Sequence, residues 1–238
     1  MIVLYAVALF GSLLAAWYLI PFALRRLSSG KLRRYCREQG IVVLSYDDGP
    51  SEQLLPQLLE LLSEHKVQAT FFLLGRNAEV NREAVRLLRE GGHEVGSHTY
   101  DHSNAWKTWP WHSAADLAKG LKSLQSNGAT TEIFRPPYGK ATLLTFFDCY
   151  LRKLRLGWWT IDSQDVWKRR PVSDVLNELK TDGGGVILMH DLDRDEVQAD
   201  GMSHSDYVLG LTREVIDFAS RSGLKMQRMG DIYAKALD

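Results

Sequence analysis

Apolar residues recur along the chain in short runs that alternate with segments of helical spacing. Short apolar runs bounded by turn residues are typical of buried strands, and leucines three or four residues apart are typical of amphipathic helices. The strands predicted in this way are 41–44, 69–74, 93–97, 132–135, 158–161, 185–189 and 225–228. The helices predicted between them are 54–62, 80–88, 114–126, 143–154, 172–180 and 207–221.

The alternation of strands and helices determines the predicted fold class. Repeated strand–helix units form parallel sheets, so the chain is predicted to be an α/β protein. Seven strands suggest a barrel of the triosephosphate-isomerase type, one unit short of eight. Because the parallel strands of such a barrel end on one face, functional residues are expected at the carboxyl ends of the strands.

The first 24 residues form an apolar segment. No charged side chain occurs from Ile2 to Leu24, and these 23 residues exceed the roughly 20 that a helix needs to cross a bilayer. A cleaved signal peptide would have a basic start, a shorter apolar core and a small-x-small cleavage site, and none of these is clear here. Residues 1–24 are therefore predicted to form an uncleaved N-terminal transmembrane helix.

A basic segment, residues 25–40, follows and is predicted to be a linker. It contains six basic residues between Arg25 and Arg37, whereas none precedes the apolar segment. Such a segment either binds the membrane surface electrostatically or orients the span. The predicted organisation is thus an anchor at 1–24, a linker at 25–40 and a single α/β domain at 41–238.

The charge balance argues against one class of function. The 238 residues include 29 basic and 29 acidic side chains, so no basic excess exists to neutralise nucleic-acid phosphates. No nucleic-acid partner is therefore predicted. The two cysteines, Cys36 and Cys149, lie far apart and match no metal-binding or redox spacing.

Two adjacent carboxylates, Asp47 and Asp48, follow the first predicted strand. Two adjacent carboxyl groups at the end of a buried strand are costly to ionise together, because their negative charges repel in a low dielectric. A metal ion would neutralise one carboxylate and leave the other free to act as a base. A solvated Asp-Asp-Gly-Pro turn is the alternative, and residues further along the chain decide between the two.

Later strand ends supply partners for a metal site. His98 and His102 follow the third strand, and their spacing predicts both imidazoles on one face of a helical turn. Arg135 follows the fourth strand, Asp165 follows the fifth, and His190 ends the sixth. Each has an ordinary structural explanation alone, but all lie at strand ends that share one face. Together they predict a metal site with acid and base groups beside it.

These motifs resemble those of the polysaccharide deacetylases with a NodB-homology domain, also called carbohydrate esterase family four. The matching sequences are the aspartate pair at 47–48, His-Thr-x-x-His-Ser at 98–103 and Arg-x-Pro-Tyr-Gly at 135–139. The resemblance extends from residue 41 to about residue 233. It implies a distorted (β/α)7 barrel that removes acetyl groups from N-acetylated sugars.

The resemblance also implies a role for each matching residue. Asp48, His98 and His102 correspond to the metal ligands. Asp47 corresponds to the catalytic base and His190 to the general acid. One carboxylate and two imidazoles leave open coordination positions, as a catalytic zinc site requires. The expected cofactor is therefore a divalent metal, Zn²⁺ first, with Co²⁺, Ni²⁺ or Fe²⁺ as alternatives.

Further positions are assigned by the same resemblance. Arg135 corresponds to the residue that orients Asp47, and Asp165 to the partner of His190. The backbone N–H of Tyr138 corresponds to the oxyanion donor. The residues expected to bind substrate are Pro137, Tyr138, Trp167 and Leu188. Val166 separates Asp165 from Trp167, which the family usually has adjacent, so Asp162 is the alternative partner of His190.

Other functions are compatible with the same residues. An O-acetyl esterase or a deformylase acting on a lipid-linked sugar could use this site. Two histidines and a carboxylate are also the facial triad of non-haem iron oxygenases, but that reading leaves Asp47 and His190 without a role. A non-catalytic carbohydrate-binding barrel would be expected to have lost a ligand or the base. The expected partner is an N-acetylated carbohydrate or glycolipid.

The charge pattern also predicts a location. Basic residues near a membrane span favour the cytoplasmic side, and the first span usually decides orientation. The predicted protein is therefore a single-pass plasma-membrane protein with its catalytic domain in the cytoplasm. An extracytoplasmic domain is the alternative, because large domains can be translocated despite a basic flank.

Overall fold

The computed structural model describes residues 1–194, 197 and 201–236. The strands in this part of the chain are β1 (Ile41–Asp47), β2 (Thr70–Leu73), β3 (Glu94–Ser97), β4 (Ile133–Phe134), β5 (Arg155–Leu156), β6 (Ile161–Asp162), β7 (Gly185–His190) and β8 (Lys225–Met226). The helices are α1 (Ile2–Gln39), α2 (Leu54–Glu64), α3 (Gly75–Val80), α4 (Arg82–Glu90), α5 (Pro110–Ser126), α6 (Leu143–Arg152), α7 (Val172–Asp182), α8 (His204–Arg221) and α9 (Met229–Ala236). A 3₁₀ turn spans Pro137–Gly139.

The strands form one parallel sheet in the order β5–β4–β3–β2–β1–β7–β6, and β8 pairs with the start of β1. This confirms the predicted α/β class. Over the described residues no pairing joins β5 to β6, so the predicted barrel is corrected to a curled sheet that stays open. The reason is the chain itself. Parallel neighbours need a crossover of about a dozen residues or more, and only residues 157–160 separate β5 from β6.

β1 lies in the middle of the sheet and is buried over its whole length. Successive side chains of a strand point to opposite faces. Leu44 and Tyr46 therefore pack outward against the surrounding helices, in a cluster that includes Leu58 of α2 and Leu211 of α8. Val43 lies in a second cluster on the inner face of the sheet. The same alternation directs Asp47 to the inner face.

The inner face is covered by the carboxyl-terminal half of α1 and by α9. Leu32 and Cys36 of α1 pack there with Val43 and Val186, together with Ile232 of α9. The inner face of the open sheet is thus packed against two helices.

The predicted linker at 25–40 is helical as far as Gln39 and is fixed to the domain. Arg33 donates to the Thr160 carbonyl at 2.5 Å and pairs with Asp182 at 2.8 Å. Arg37 donates to the Asp182 carbonyl at 3.0 Å. Gly40 ends the helix with a left-handed φ of 61°, and its N–H bonds carbonyls of the last turn. Arg33 and Arg37 therefore bind the domain itself, a role that neither interpretation of the linker anticipated.

Residues 2–24 are also part of α1. In the described part of the chain, no helix combines the length and the apolarity that crossing a membrane requires. The structure therefore does not support the transmembrane helix predicted for this segment.

Several predicted elements differ in their bounds. The helix predicted at 80–88 is divided, because the Asn81 side chain accepts from Ala84 N at 3.1 Å and so caps α4 separately from α3. The helix predicted from 114 begins at Pro110, a residue suited to the first helical turn. Strand β5 and helix α9 were not predicted.

Candidate active site

The end of β1 brings both aspartates to the same side. Asp47 lies on the inner face, whereas the next residue of a regular strand would point away from it. Asp48 instead has a φ of 72°, which ends the strand. As a result the two carboxylates lie 3.8 Å (Asp47) and 3.5 Å (Asp48) from one atom, Nε2 of His98.

Asp48, His98 and His102 form a candidate metal centre. One potential ligand atom from each lies within 4.8 Å of the others. His102 Nε2 is 3.2 Å from Asp48 Oδ1. His98 Nδ1 bonds the Arg135 carbonyl at 2.7 Å, which makes Nδ1 the protonated nitrogen and leaves Nε2 as the ligand. Burial lowers the pKa of His98 to about 3, so the ring is neutral near pH 7.

The two histidines lie on a loop, not on the predicted helical turn. Thr99 and His102 both have positive φ, at 68° and 63°, which a helix does not allow. Asp116 of α5 holds the loop by accepting N–H groups of Tyr100, Asp101 and Ser103 at 3.2, 2.8 and 3.1 Å. Burial alone would raise the pKa of Asp116, but hydrogen bonds from the Ser103 side chain and from the Asp101 and Ser103 N–H groups lower it below its usual value.

The residues present fit a divalent cation. Asp48 Oδ1 is buried and has no hydrogen-bond partner among the described residues, although it faces two imidazole nitrogens. A buried carboxylate oxygen without a donor is costly unless a cation compensates it. Two nitrogens and one oxygen form a ligand set suited to Zn²⁺ with positions left open.

Asp47 is held by a buried arginine. Arg135 Nη1 donates to Asp47 Oδ1 at 2.7 Å, and Arg135 Nε donates to the Gly157 carbonyl at 2.7 Å. The guanidinium carbon lies 4.0 Å from the Phe72 ring centroid. Burial raises the pKa of Asp47, an effect that the Arg135 charge partly offsets. Asp47 is thus a fixed carboxylate of increased basicity.

His190 lies on the neighbouring strand β7, where it is in register with Asp47. Asp165 Oδ1 lies 2.8 Å from His190 Nδ1, and Asp165 Oδ2 accepts His190 N at 2.8 Å. Burial alone would lower the pKa of His190, but Asp165 raises it to about 9. The structure therefore places Asp165, not Asp162, against His190, even though Val166 is inserted next to it.

The four residues expected to bind substrate have different surroundings. Tyr138 is 57% exposed, and its ring centroid lies 4.6 Å from that of His102. Pro137 is buried in the same 3₁₀ turn. Trp167 is 69% exposed, which leaves its ring available to a ligand. Leu188 is buried at 4% exposure, and its carbonyl accepts the Ser163 hydroxyl at 2.7 Å.

Three polar residues near the site were not singled out from the sequence. Besides Asp116, these are His204, whose Nε2 lies 3.1 Å from the His190 carbonyl, and Asp191. Asp191 accepts the Ser51 hydroxyl at 2.5 Å, and burial raises its pKa to about 7. A Cβ on Gly49 would lie 2.2 Å from Asp191 Oδ2, so only glycine fits beside it. No local pattern distinguishes these residues from ordinary surface polar groups.

The fold and the site together define a class: an open, parallel α/β sheet with a candidate mononuclear metal centre and an acid–base pair at its strand ends. The sequence model of the polysaccharide deacetylase family matches residues 34–149. The chain belongs to this family, and the predicted resemblance is confirmed.

Three relatives illustrate the similarity. The chitin deacetylase of Colletotrichum lindemuthianum is 30% identical over 235 residues, covering 91% of this chain and 88% of that protein. The peptidoglycan-N-acetylglucosamine deacetylase of Listeria monocytogenes is 34% identical over 155 residues, covering 63% of this chain but only 32% of that protein. The crystal structure of the Bc1960 peptidoglycan N-acetylglucosamine deacetylase superposes with a TM-score of 0.72 at 26% identity, covering 82% of this chain and 88% of that chain.

Proposed function

We propose that this chain is a metal-dependent hydrolase that removes the acetyl group from an N-acetylated sugar. One observation carries the proposal, the gathering of a base, a metal-ligand group and an acid at one edge of the sheet: Asp47, Asp48, His98, His102 and His190. Relatives named as chitin, peptidoglycan and chitooligosaccharide deacetylases support this substrate class.

The base and the metal ligands prepare the attacking water. A divalent cation bound by Asp48, His98 and His102 would polarise the acyl carbonyl and lower the pKa of a water from roughly 16 towards ~7. Asp47 accepts the proton of that water as its oxygen bonds to the carbonyl carbon. Arg135 keeps Asp47 oriented through its 2.7 Å hydrogen bond.

The acid completes the reaction. Negative charge develops on the carbonyl oxygen, and the Tyr138 N–H is the donor proposed to stabilise it. Protonated His190 then donates its proton to the amine nitrogen as the C–N bond breaks, because an unprotonated amine leaves poorly. Acetate and a free amino sugar are the products. Asp165 supports this role because it keeps His190 protonated near neutral pH.

The proposal is tested by an amine-release assay on the purified full-length protein. N-acetylated oligosaccharides should release free amine and acetate, activity should stop on chelation, and added Zn²⁺ should restore it. Parallel reactions with O-acetylated and N-formylated sugars and with glycolipids would identify the acyl group and the carrier. Absence of release from every N-acetylated substrate at full zinc occupancy would contradict the proposal.

The cytoplasmic placement of the domain stays a prediction from the basic residues that follow residue 24. Protease added to intact spheroplasts should leave the domain uncut if that placement is correct. Digestion under these conditions would show the opposite orientation.

A further inference from the structure

Helix α1 contacts residues 137–141, which border the candidate active site. Arg25 Nη1 donates to the Gly139 carbonyl at 2.8 Å. Two helical turns earlier on α1, the Tyr18 ring packs edge-on against Trp106 at 5.5 Å, and Trp106 Nε1 donates to the Ala141 carbonyl at 2.8 Å. Helix α1 is thus hydrogen-bonded directly to Gly139 and contacts Ala141 through Trp106.

The Arg25 guanidinium is held firmly at this place. Its central carbon lies 4.5 Å from the Trp159 ring centroid and 5.3 Å from that of Trp158, and the side chain is partly buried. The same Trp159 ring lies 5.6 Å from the guanidinium of Arg135, which binds Asp47. A planar guanidinium on aromatic faces has little freedom to turn away from its acceptor.

Gly139 is shaped to this contact. It has a φ of 60°, and an added Cβ would lie 2.6 Å from Arg25 Cζ and 2.7 Å from Trp159 Cη2. A side chain at this position would therefore displace Arg25 from the carbonyl. Glycine at position 139 therefore allows both the positive φ of the turn and the close approach of α1.

The turn that Arg25 holds carries Tyr138 in an unfavourable conformation. Tyr138 has φ 59° and ψ 9°, in the left-handed region that non-glycine residues occupy only when the surroundings fix them. An N–H that stabilises an oxyanion is effective only when it is already oriented before the reaction. Anything that fixes the turn therefore fixes the orientation of this donor.

We propose that Arg25 is a positioning residue that holds the 137–139 turn so that the Tyr138 N–H points at the reacting acyl oxygen. The role of the Tyr138 N–H in this inference rests on the proposed function. The contact between Arg25 and the turn does not depend on that function. Arg25 lies before residues 34–149, which the family model matches. Anchoring of α1 does not require it, because Leu32, Cys36, Arg33 and Arg37 attach the helix elsewhere.

The test uses point variants of the full-length protein. Arg25→Met keeps the apolar stem and loses the donor, and Arg25→Lys keeps a donor with poorer geometry. Arg26→Met is the matched control, because Arg26 is exposed on the same helix and lies over Phe22 of that helix at 5.7 Å. Zinc content and thermal midpoint are measured for each variant.

We expect Arg25→Met to lower kcat about 10-fold or more with little change in KM, because a displaced oxyanion donor weakens transition-state binding. The affinity for a tetrahedral phosphonate analogue should fall by the same factor as kcat/KM. Arg25→Lys should recover part of both losses, and Arg26→Met should match the unmodified protein. Unchanged kcat in Arg25→Met, or a loss that follows zinc content, would overturn the inference.

A second measurement does not depend on turnover. The Tyr138 amide is identified in ¹⁵N-tyrosine-labelled protein by its loss in Tyr138→Phe. Its chemical shift and hydrogen-exchange rate should change in Arg25→Met and not in Arg26→Met. An unchanged Tyr138 amide in Arg25→Met would overturn the positioning role, whether or not the protein hydrolyses an acetylated sugar. A lack of hydrolysis in the unmodified protein would count against the proposed function alone.

Discussion

Asp47 and Asp48 are neighbours of the same chemical type, and their surroundings give them different chemistry. Asp47 is bonded to buried Arg135 at 2.7 Å. Asp48 instead has a buried oxygen that lies near the two imidazoles and has no hydrogen-bond partner among the described residues. The first arrangement suits a carboxylate that accepts a proton, and the second suits one that binds a cation.

Substitution of these two residues should separate base from ligand. Asp47→Asn keeps the shape and should lower kcat by about 10²-fold or more, the usual contribution of an acid–base group, while zinc stays bound. Asp48→Asn is the matched comparison and should lose zinc. Both are measured by elemental analysis and amine release. Full activity in Asp47→Asn, or loss of its zinc, would show that the roles are assigned wrongly.

The His190–Asp165 pair should control the alkaline limb of the pH profile. Asp165 raises the pKa of His190 to about 9, so the protonated acid is present below this value and is lost as pH rises through it. Asp165→Asn removes the charge and keeps an acceptor, so the pKa of His190 should fall. The alkaline limb of kcat should move to lower pH in this variant. A bound cation would lower the pKa of His190 in both the unmodified protein and Asp165→Asn, so the measurement is the difference between their pH profiles. Identical alkaline limbs in the two proteins would exclude the pairing of His190 with Asp165.

At the scale of elements, the loop 98–103 shows how a metal site depends on residues that do not touch the metal. Its backbone is held by one buried carboxylate, Asp116, which accepts three N–H groups. The two positive φ values at Thr99 and His102 are not favourable by themselves. The backbone of the loop that carries both imidazoles is therefore held from helix α5.

Asp116→Ala should weaken zinc binding by about 10- to 100-fold, as loss of a supporting partner usually does. The reason is that the unsupported loop no longer holds His98 and His102 at the ligand distance. Zinc affinity is measured by competition with a chelating dye. Lys122→Ala, an exposed change on the same helix, is the control. Equal affinities in the two variants would mean that the loop holds its shape without Asp116.

The sequence predicted the order of elements and the strand-end location of the site because both follow from local patterns. β1, β7 and the histidine motif are continuous runs whose periodicity or spacing is visible. The conformation of the histidine loop was wrongly predicted as helical, because nothing in the motif shows that Asp116 binds its N–H groups from another element. Strands β5 and β6 have two residues each, too few for any periodicity.

At the scale of the whole molecule, the carboxyl-terminal half of α1 packs against the sheet and is hydrogen-bonded to the residues around it. Its partners Thr160, Asp182 and Val186 lie more than a hundred residues away in the sequence, so no local pattern could have indicated them. The basic residues were visible, but their acceptors were not. Long-range packing of this kind cannot be predicted from local sequence patterns.

The docking of α1 should be measurable as stability. Leu32 is 4% exposed inside the inner cluster, and Leu32→Ala should lower the free energy of unfolding by about 2–5 kcal/mol through lost burial and a cavity. Leu27→Ala on the same helix changes a residue that is 64% exposed and should stay within about 0.5 kcal/mol. Both are measured by denaturant titration. Equal midpoints would mean that α1 does not pack on the sheet in solution.

The central place of β1 also sets the sequence of events during synthesis. Its bond from the Ser45 hydroxyl to the Ile187 carbonyl joins residues 142 positions apart, and such long closures come late in folding. The ligands Asp48, His98 and His102 all leave the ribosome before β7 is made. The candidate metal ligands are therefore translated well before His190, and the proposed site is complete only when almost the whole polypeptide has been made.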